Sequence, residues 1–255
     1  MKKYIFFLLI FGSCVKNTEK REGLQTCKLG NVNYLYDSPL EFETAKAPTK
    51  PKSTITSTNP AVILLDYDGY TLPPNSTWNQ SSMPFYATPS GLTTDVIQSI
   101  TNLVGNDFAK FNVIVTTDTT IYAKASQYRR IRVIVTASSE INYGVSGIAY
   151  VGSMFGGGEQ LCFVFSKALA YNPTYVWVTI SHEAGHSAGL LHQSEYDANC
   201  NMVFTYKPCQ SNGTGPIMGS TGGACSTIWW KGSTPNGCTS IQDDVAVLSK
   251  NIGIK

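Results

Sequence analysis

The chain contains three histidines, and all of them fall within eleven residues, His182-Glu-Ala-Gly-His186-Ser-Ala-Gly-Leu-Leu-His192. His182 and His186 are four apart, so on an α-helix they project from one face with room for a single metal ion between two imidazoles. A straight helix carries His192 about 15 Å further along its axis, so the chain has to turn before it. Gly189 supplies the turn, because glycine takes positive φ without penalty and commonly ends helices. His192 then becomes a third ligand. Three histidines leave a fourth position for water, the open arrangement of a catalytic zinc site. Glu183, beside the first ligand, reaches that water as general base.

The elements around this stretch are legible from apolar period. Ala61–Asp66 is an apolar run of strand length closed by Asp68-Gly69, and the Val- and Ile-rich segments 112–116 and 130–136 read as further strands. Thr93, Thr94 and Asp95 can cap a helix whose apolar residues Val96, Ile97, Ile100, Leu103, Val104, Phe108 and Phe111 follow a 3.6-residue period. The glycine-bounded segment 147–152 suits a sheet edge, and residues 160–166 form another strand. Asn172-Pro173 starts the histidine-bearing helix, with Asn as N-cap and Pro in the first turn, and this helix runs to about Gly189. Regular pattern then almost vanishes until a last helix marked by Ile241, Val245, Leu248 and Ile252. No repeat is present.

The first thirteen residues read as a secretory signal: two lysines, the apolar run Tyr4 to Phe11, then Gly-Ser. The ending resembles the lipobox of bacterial lipoproteins, which makes Cys14 the lipid-bearing residue, although Phe11 stands where Leu is usual. Residues 14–59, rich in Lys, Glu, Thr, Ser and Pro, form a stalk, and 60–255 form the catalytic domain, divided at 190/191 into an upper and a lower subdomain. Loss of Lys2 and Lys3 leaves 17 basic residues (19 less 2) against 17 acidic ones, a formally neutral chain with no footprint for nucleic acid. Export to the cell envelope permits disulfides. Closeness in sequence favours Cys200 with Cys209 and Cys225 with Cys238, leaving Cys27 and Cys162 as a third bridge or as thiols.

With these residues in view, the chain resembles the metzincin clan of metallopeptidases, whose HExxHxxGxxH signature is matched at every fixed position from His182 to His192. The clan's methionine turn beneath the metal is similar to Gly215-Pro-Ile-Met218-Gly-Ser, with Met218 as the floor. The segment Gly147, Ile148, Ala149 and Tyr150 looks like the substrate-binding edge strand of reprolysin-like members. Leu65-Asp-Tyr-Asp-Gly, Trp230-Lys-Gly and Gln242-Asp-Asp resemble secreted bacterial reprolysin-like proteins, so the similarity covers 60–255. Gln193 departs from the pattern, since reprolysins usually carry Asp there, astacins Glu and matrix metalloproteinases Ser. No tyrosine closely follows Met218, so the extra ligand of astacin-like enzymes is missing.

The resemblance implies an α/β fold: a mixed, mostly parallel five-stranded sheet with two long helices, and a small irregular C-terminal part ending in a helix. It implies one catalytic Zn2+ and a monomeric endopeptidase that hydrolyses protein and peptide substrates by attack of water activated by Glu183. Metzincin relatives can be held latent by an upstream thiolate, a role for which Cys27 is the candidate, beside disulfide pairing or plain burial. The rival reading is a surface adhesion lipoprotein that retains a structural zinc, against which the intact Glu183 argues.

Overall fold

In the computed structural model, residues 59–140, 144–220 and 225–255 are described, together with the backbone pairing of β1 (Val15–Lys16) with β2 (Gln25–Thr26). The leader, Cys14, Cys27 and, apart from this pairing and Asn59, the stalk lie outside these residues. The apolar runs form a five-stranded sheet in the order β6-β3-β7-β9-β8, made of β3 (Ala61–Asp66), β6 (Val113–Thr116), β7 (Arg130–Thr136), β8 (Gly147–Ile148) and β9 (Leu161–Phe165). The first four strands in that order run parallel, and β8 joins β9 antiparallel at the edge, with Gly147 opposite Val164 and Ile148 opposite Phe163. This is the expected mixed, mostly parallel sheet. Only the edge is shorter than anticipated, because the chain leaves it in a left-handed turn at Gly152 (φ 77°), whose N–H donates to the His186 carbonyl at 2.9 Å.

Strand alternation sends side chains to both faces, and both are covered. On one face Ile63, Leu65, Ile131, Val133 and Val164 pack against α1 (Thr94–Asp107) and α3 (Pro173–Ser187) through Ile100, Val104, Val176 and Ile180. On the other, Ile134, Ile148, Phe163 and Phe165 meet the hairpin of β4 (Tyr70–Leu72) and β5 (Phe85–Ala87), while Val62 and Leu64 meet α2 (Thr119–Lys124) through Tyr122. Helix α1 ends before Phe111, earlier than its apolar period suggests. The end of α1 is tied to α3 by one carboxylate: Asp107 Oδ2 accepts from Trp177 Nε1 at 2.7 Å and Ser181 Oγ at 2.6 Å.

Below α3 the chain is less irregular than its sequence. β10 (Glu195–Tyr196) pairs with β11 (Met202–Phe204), β12 (Thr214–Pro216) with β13 (Ser226–Ile228), and β14 (Lys231–Thr234) with β15 (Gly237–Asp243). Ile241, expected in the last helix, is an exposed residue of β15 instead. Helix α4 (Asp244–Asn251) starts only where the Asp243 side chain caps the Ala246 N–H at 3.0 Å. Past α4 the chain returns to the sheet: Gly253 O accepts from Asn112 N–H at 2.9 Å, Ile252 O accepts from Arg129 Nη2 at 2.6 Å, and Ile254 bridges Phe111.

The disulfides correct the pairing expected from sequence closeness. Cys200 is bonded to Cys238 and Cys209 to Cys225, a nested arrangement that strand contacts dictate. Ser194 N–H donates to Ser233 O and Tyr196 Oη to Thr234 O, which lays the β10–β11 hairpin beside β14–β15 and brings Cys200 to Cys238. The parallel β12–β13 pair and the Pro208–Ser220 bridge close the loop between Cys209 and Cys225. Cys162 is buried within β9. Peptide mapping without reduction is expected to find the 200–238 and 209–225 links. Cys209→Ser with Cys225→Ser is expected to cost about 3 kcal/mol for a loop of this length, read from the urea midpoint.

Candidate metal centre

Helix α3 forms where the sequence places it. Asn172 Oδ1 accepts from the Thr174 and Tyr175 N–H groups, Pro173 follows, and Ala188 caps the C-terminus. Gly189 then adopts φ 106°, and Asn251 Nδ2 donates to Ala188 O at 2.9 Å against the turn. A Cβ at Gly189 would lie 2.8 Å from that same nitrogen, so the turn needs glycine for both conformation and space. The turn brings all three predicted histidines together: His186 Nε2 lies 3.1 Å from His182 Nε2 and 3.0 Å from His192 Nε2.

The other ring nitrogens show what these contacts are. His182 Nδ1 is 2.7 Å from the Ile217 carbonyl and His186 Nδ1 is 2.7 Å from the Leu190 carbonyl. A carbonyl only accepts, so both rings carry their proton on Nδ1 and present a bare lone pair at Nε2. Burial pushes the His182 pKa down to about 4 and those of His186 and His192 well below the ordinary range, which keeps all three rings neutral. The His182 and His186 lone pairs face one another at 3.1 Å and repel unless a cation lies between them, and His192 Nε2 stands 3.0 Å from that of His186. Tetrahedral Zn–N bonds of ~2.05 Å separate neighbouring nitrogens by about 3.3 Å, so the residues fit a zinc-sized ion. Among the described residues no other His, Cys, Asp and Glu group converges in this way.

Glu183 is buried one residue after the first ligand. Its carboxylate lies against the edge strand: a Cβ added to Gly147 would fall 2.5 Å from Glu183 Oε1. Glycine at 147 therefore lets the β8 backbone approach the carboxylate. Ile148 and Ala149 are buried, and Tyr150 is half-buried against Trp78, with ring centroids 4.8 Å apart. Met218 is fully buried, and a Cβ at Gly185 would meet its Sδ at 2.7 Å, so the sulfur sits close under α3 between the two helical ligands. The adjacent Ile217 supplies the His182 carbonyl, so the turn around Met218 fixes a ligand directly.

Residues 75–230 match the sequence profile of metallo-peptidase family M12. The chain belongs to metallo-peptidase family M12. The matched span holds His182, Glu183, His186, His192 and Met218, and stops short of β15 and α4. Comparison with curated proteins gives no match.

One member of this M12 site escaped the sequence reading. Tyr206 is buried, and its ring centroid is 4.3 Å from that of His192. It is one of 14 tyrosines, and no spacing marks it out. The close approach at β8 yields a prediction. Gly147→Ala, with its methyl against the Glu183 carboxylate, is expected to lower peptide cleavage at least about 10-fold, while zinc content by metal analysis stays at the wild-type level.

Proposed function

We propose that this M12 peptidase is a zinc-dependent endopeptidase in which Glu183 is the general base. The observation that carries the reading is the convergence of the three neutral Nε2 atoms of His182, His186 and His192, the first two with bare lone pairs, with Glu183 next to His182 in the chain and its carboxylate packed against the β8 backbone. When bound, zinc supplies Lewis acidity and lowers the pKa of water at its open position to about 7. Glu183 accepts a proton from the attacking water and passes it to the nitrogen of the leaving amine, so no covalent intermediate with the protein is needed.

The substrate is an extended polypeptide. β8 ends the sheet, with β9 on one side and its other edge unpaired by any strand among the described residues. A peptide adding to that edge through backbone hydrogen bonds lies alongside Gly147, where Glu183 is packed. Backbone binding along an edge needs neither terminus of the substrate, which favours internal cleavage. The same proposal includes export and membrane attachment through a lipid on Cys14, with the residues up to 59 as spacer. Cys14→Ser is expected to move the protein from the membrane to the soluble fraction with proteolysis unchanged. A variant that stays with the membrane rejects the anchor alone.

Two substitutions separate chemistry from metal binding. Glu183→Ala is expected to keep zinc and melting temperature near wild type while casein or peptide cleavage falls by roughly 10²–10⁴-fold or more. His192→Ala is expected to lose zinc, since two imidazoles hold it far less well than three. Full activity in Glu183→Ala would reject the mechanism, and zinc loss equal to that of His192→Ala would reject the assigned roles.

A further inference from the structure

His182 and His186 are placed by the helix that carries them. His192 is placed by a loop, and both of its neighbours in the chain are gripped by residues from the junction of β15 and α4. The Gln242 side chain holds Leu191 at two points: Leu191 N–H donates to Gln242 Oε1 at 2.9 Å, and Gln242 Nε2 donates to Leu191 O at 2.8 Å. Gln193 Nε2 donates to Asp244 Oδ1 at 2.7 Å and to Gln242 O at 3.3 Å. The Gln193 backbone is held as well, its N–H by Met218 O at 2.8 Å and its carbonyl by Lys207 N–H at 2.7 Å. All three side chains are buried, Gln193 and Asp244 at 0% exposure and Gln242 at 7%.

We infer that Gln242 and Asp244 are positioning residues for His192, and that Asp244 acts by fixing which way the Gln242 amide faces. A glutamine amide is nearly symmetric in shape, and turned over it would put NH2 against the Leu191 N–H and oxygen against the Leu191 carbonyl. Asp244 forbids the turned form because its Oδ1 accepts from Gln242 Nε2 at 2.8 Å, as well as from Gln193. Oδ2 accepts from the Trp230 N–H at 2.9 Å, so the carboxylate itself cannot rotate freely. Burial pushes the Asp244 carboxyl up to about 6, against the lowering effect of these donors. At neutral pH it is therefore ionised and acceptor-only. This explains how the chain accommodates Gln193, whose amide needs an acceptor that the polypeptide supplies from 51 residues away.

The inference rests on the three-histidine metal site and predicts a property of the metal, not only of the fold. Asp244→Asn keeps the shape. The Trp230 N–H claims its one oxygen, and its NH2 then faces the Gln193 and Gln242 amides, which turns Gln242 over. Gln242→Glu also keeps the shape but sets an acceptor against Leu191 O and Asp244. Both full-length variants, loaded with zinc, are expected to release it to a chelating dye at neutral pH about 10–100-fold faster than wild type, the range for lost outer partners of a metal ligand. Leu248→Ala, in the buried face of α4, is the control for lost stability. It is expected to lower the melting temperature of the zinc-free protein at least as much while releasing zinc within about threefold of wild type, well short of that range. Release at the wild-type rate from both Asp244→Asn and Gln242→Glu overturns the inference, as does equal acceleration in Leu248→Ala. Wild-type protein that takes up no zinc overturns the metal reading itself.

Discussion

The His182 and His186 Nε2 atoms, 3.1 Å apart with no hydrogen available to lie between them, form an arrangement that repels itself without a cation, and His192 Nε2 closes on His186 at 3.0 Å. Much of the surrounding structure is what it takes to hold them there. Two carbonyls, from Leu190 at the end of α3 and Ile217 before Met218, fix the ring tautomers. The Met218 sulfur fills the space that Gly185 leaves under the helix, and the Cys209–Cys225 link closes the loop that presents Ile217 and Met218. Imidazoles held through their second nitrogens by main-chain carbonyls are stiff, and a ligand set needs that stiffness so as not to relax apart before the metal arrives.

The parts of this arrangement that the sequence made legible are those that local chemistry decides. The start of α3 is written in Asn172-Pro173, its end in Gly189, and the ligand face in the four-residue step between histidines. The strands β3, β7 and β9 are apolar runs buried on both faces, and such runs stand out without knowledge of their neighbours. What failed depended on registers between distant strands. Cys200 finds Cys238 because the β10–β11 hairpin lies beside β14–β15, which no interval between cysteines encodes. Ile241 matches the helical period of Val245 and Leu248, yet the Asp243 cap begins the helix after it. Helix α2 spans only six residues, too short for its period to show. Tyr206 reaches His192 across the chain and carries no signature of its own, and Gln242 and Asp244, which the sequence marked only as part of a Gln-Asp-Asp resemblance without a role, reach the neighbours of His192.

The variable positions of the histidine motif are not free in this chain. Between His182 and His186, beside the fixed Glu183 with its carboxylate against Gly147, lie Ala184, whose methyl is buried in the core, and Gly185, whose absent side chain leaves room for the Met218 sulfur. After His186, Ser187 Oγ donates to the Glu183 carbonyl within the helix, and Leu190 lends its own carbonyl to His186. Gln193 is held by Asp244, the first residue of α4, outside the span that matches the family profile.

The return of the chain after α4 to Asn112 and Arg129 has a wider effect. The polypeptide leaves the sheet at α3, passes beneath the metal site, and is sewn back onto the ends of β6 and β7 by Ile252, Gly253 and Ile254. The part of the chain below α3 is thus joined to the sheet by main-chain bonds as well as by α3, which makes the two poor candidates for rigid bodies swinging about a hinge. A metal site framed in this way cannot open by swinging its halves apart, so whatever enters it must be accommodated by movements of the loops and side chains around it.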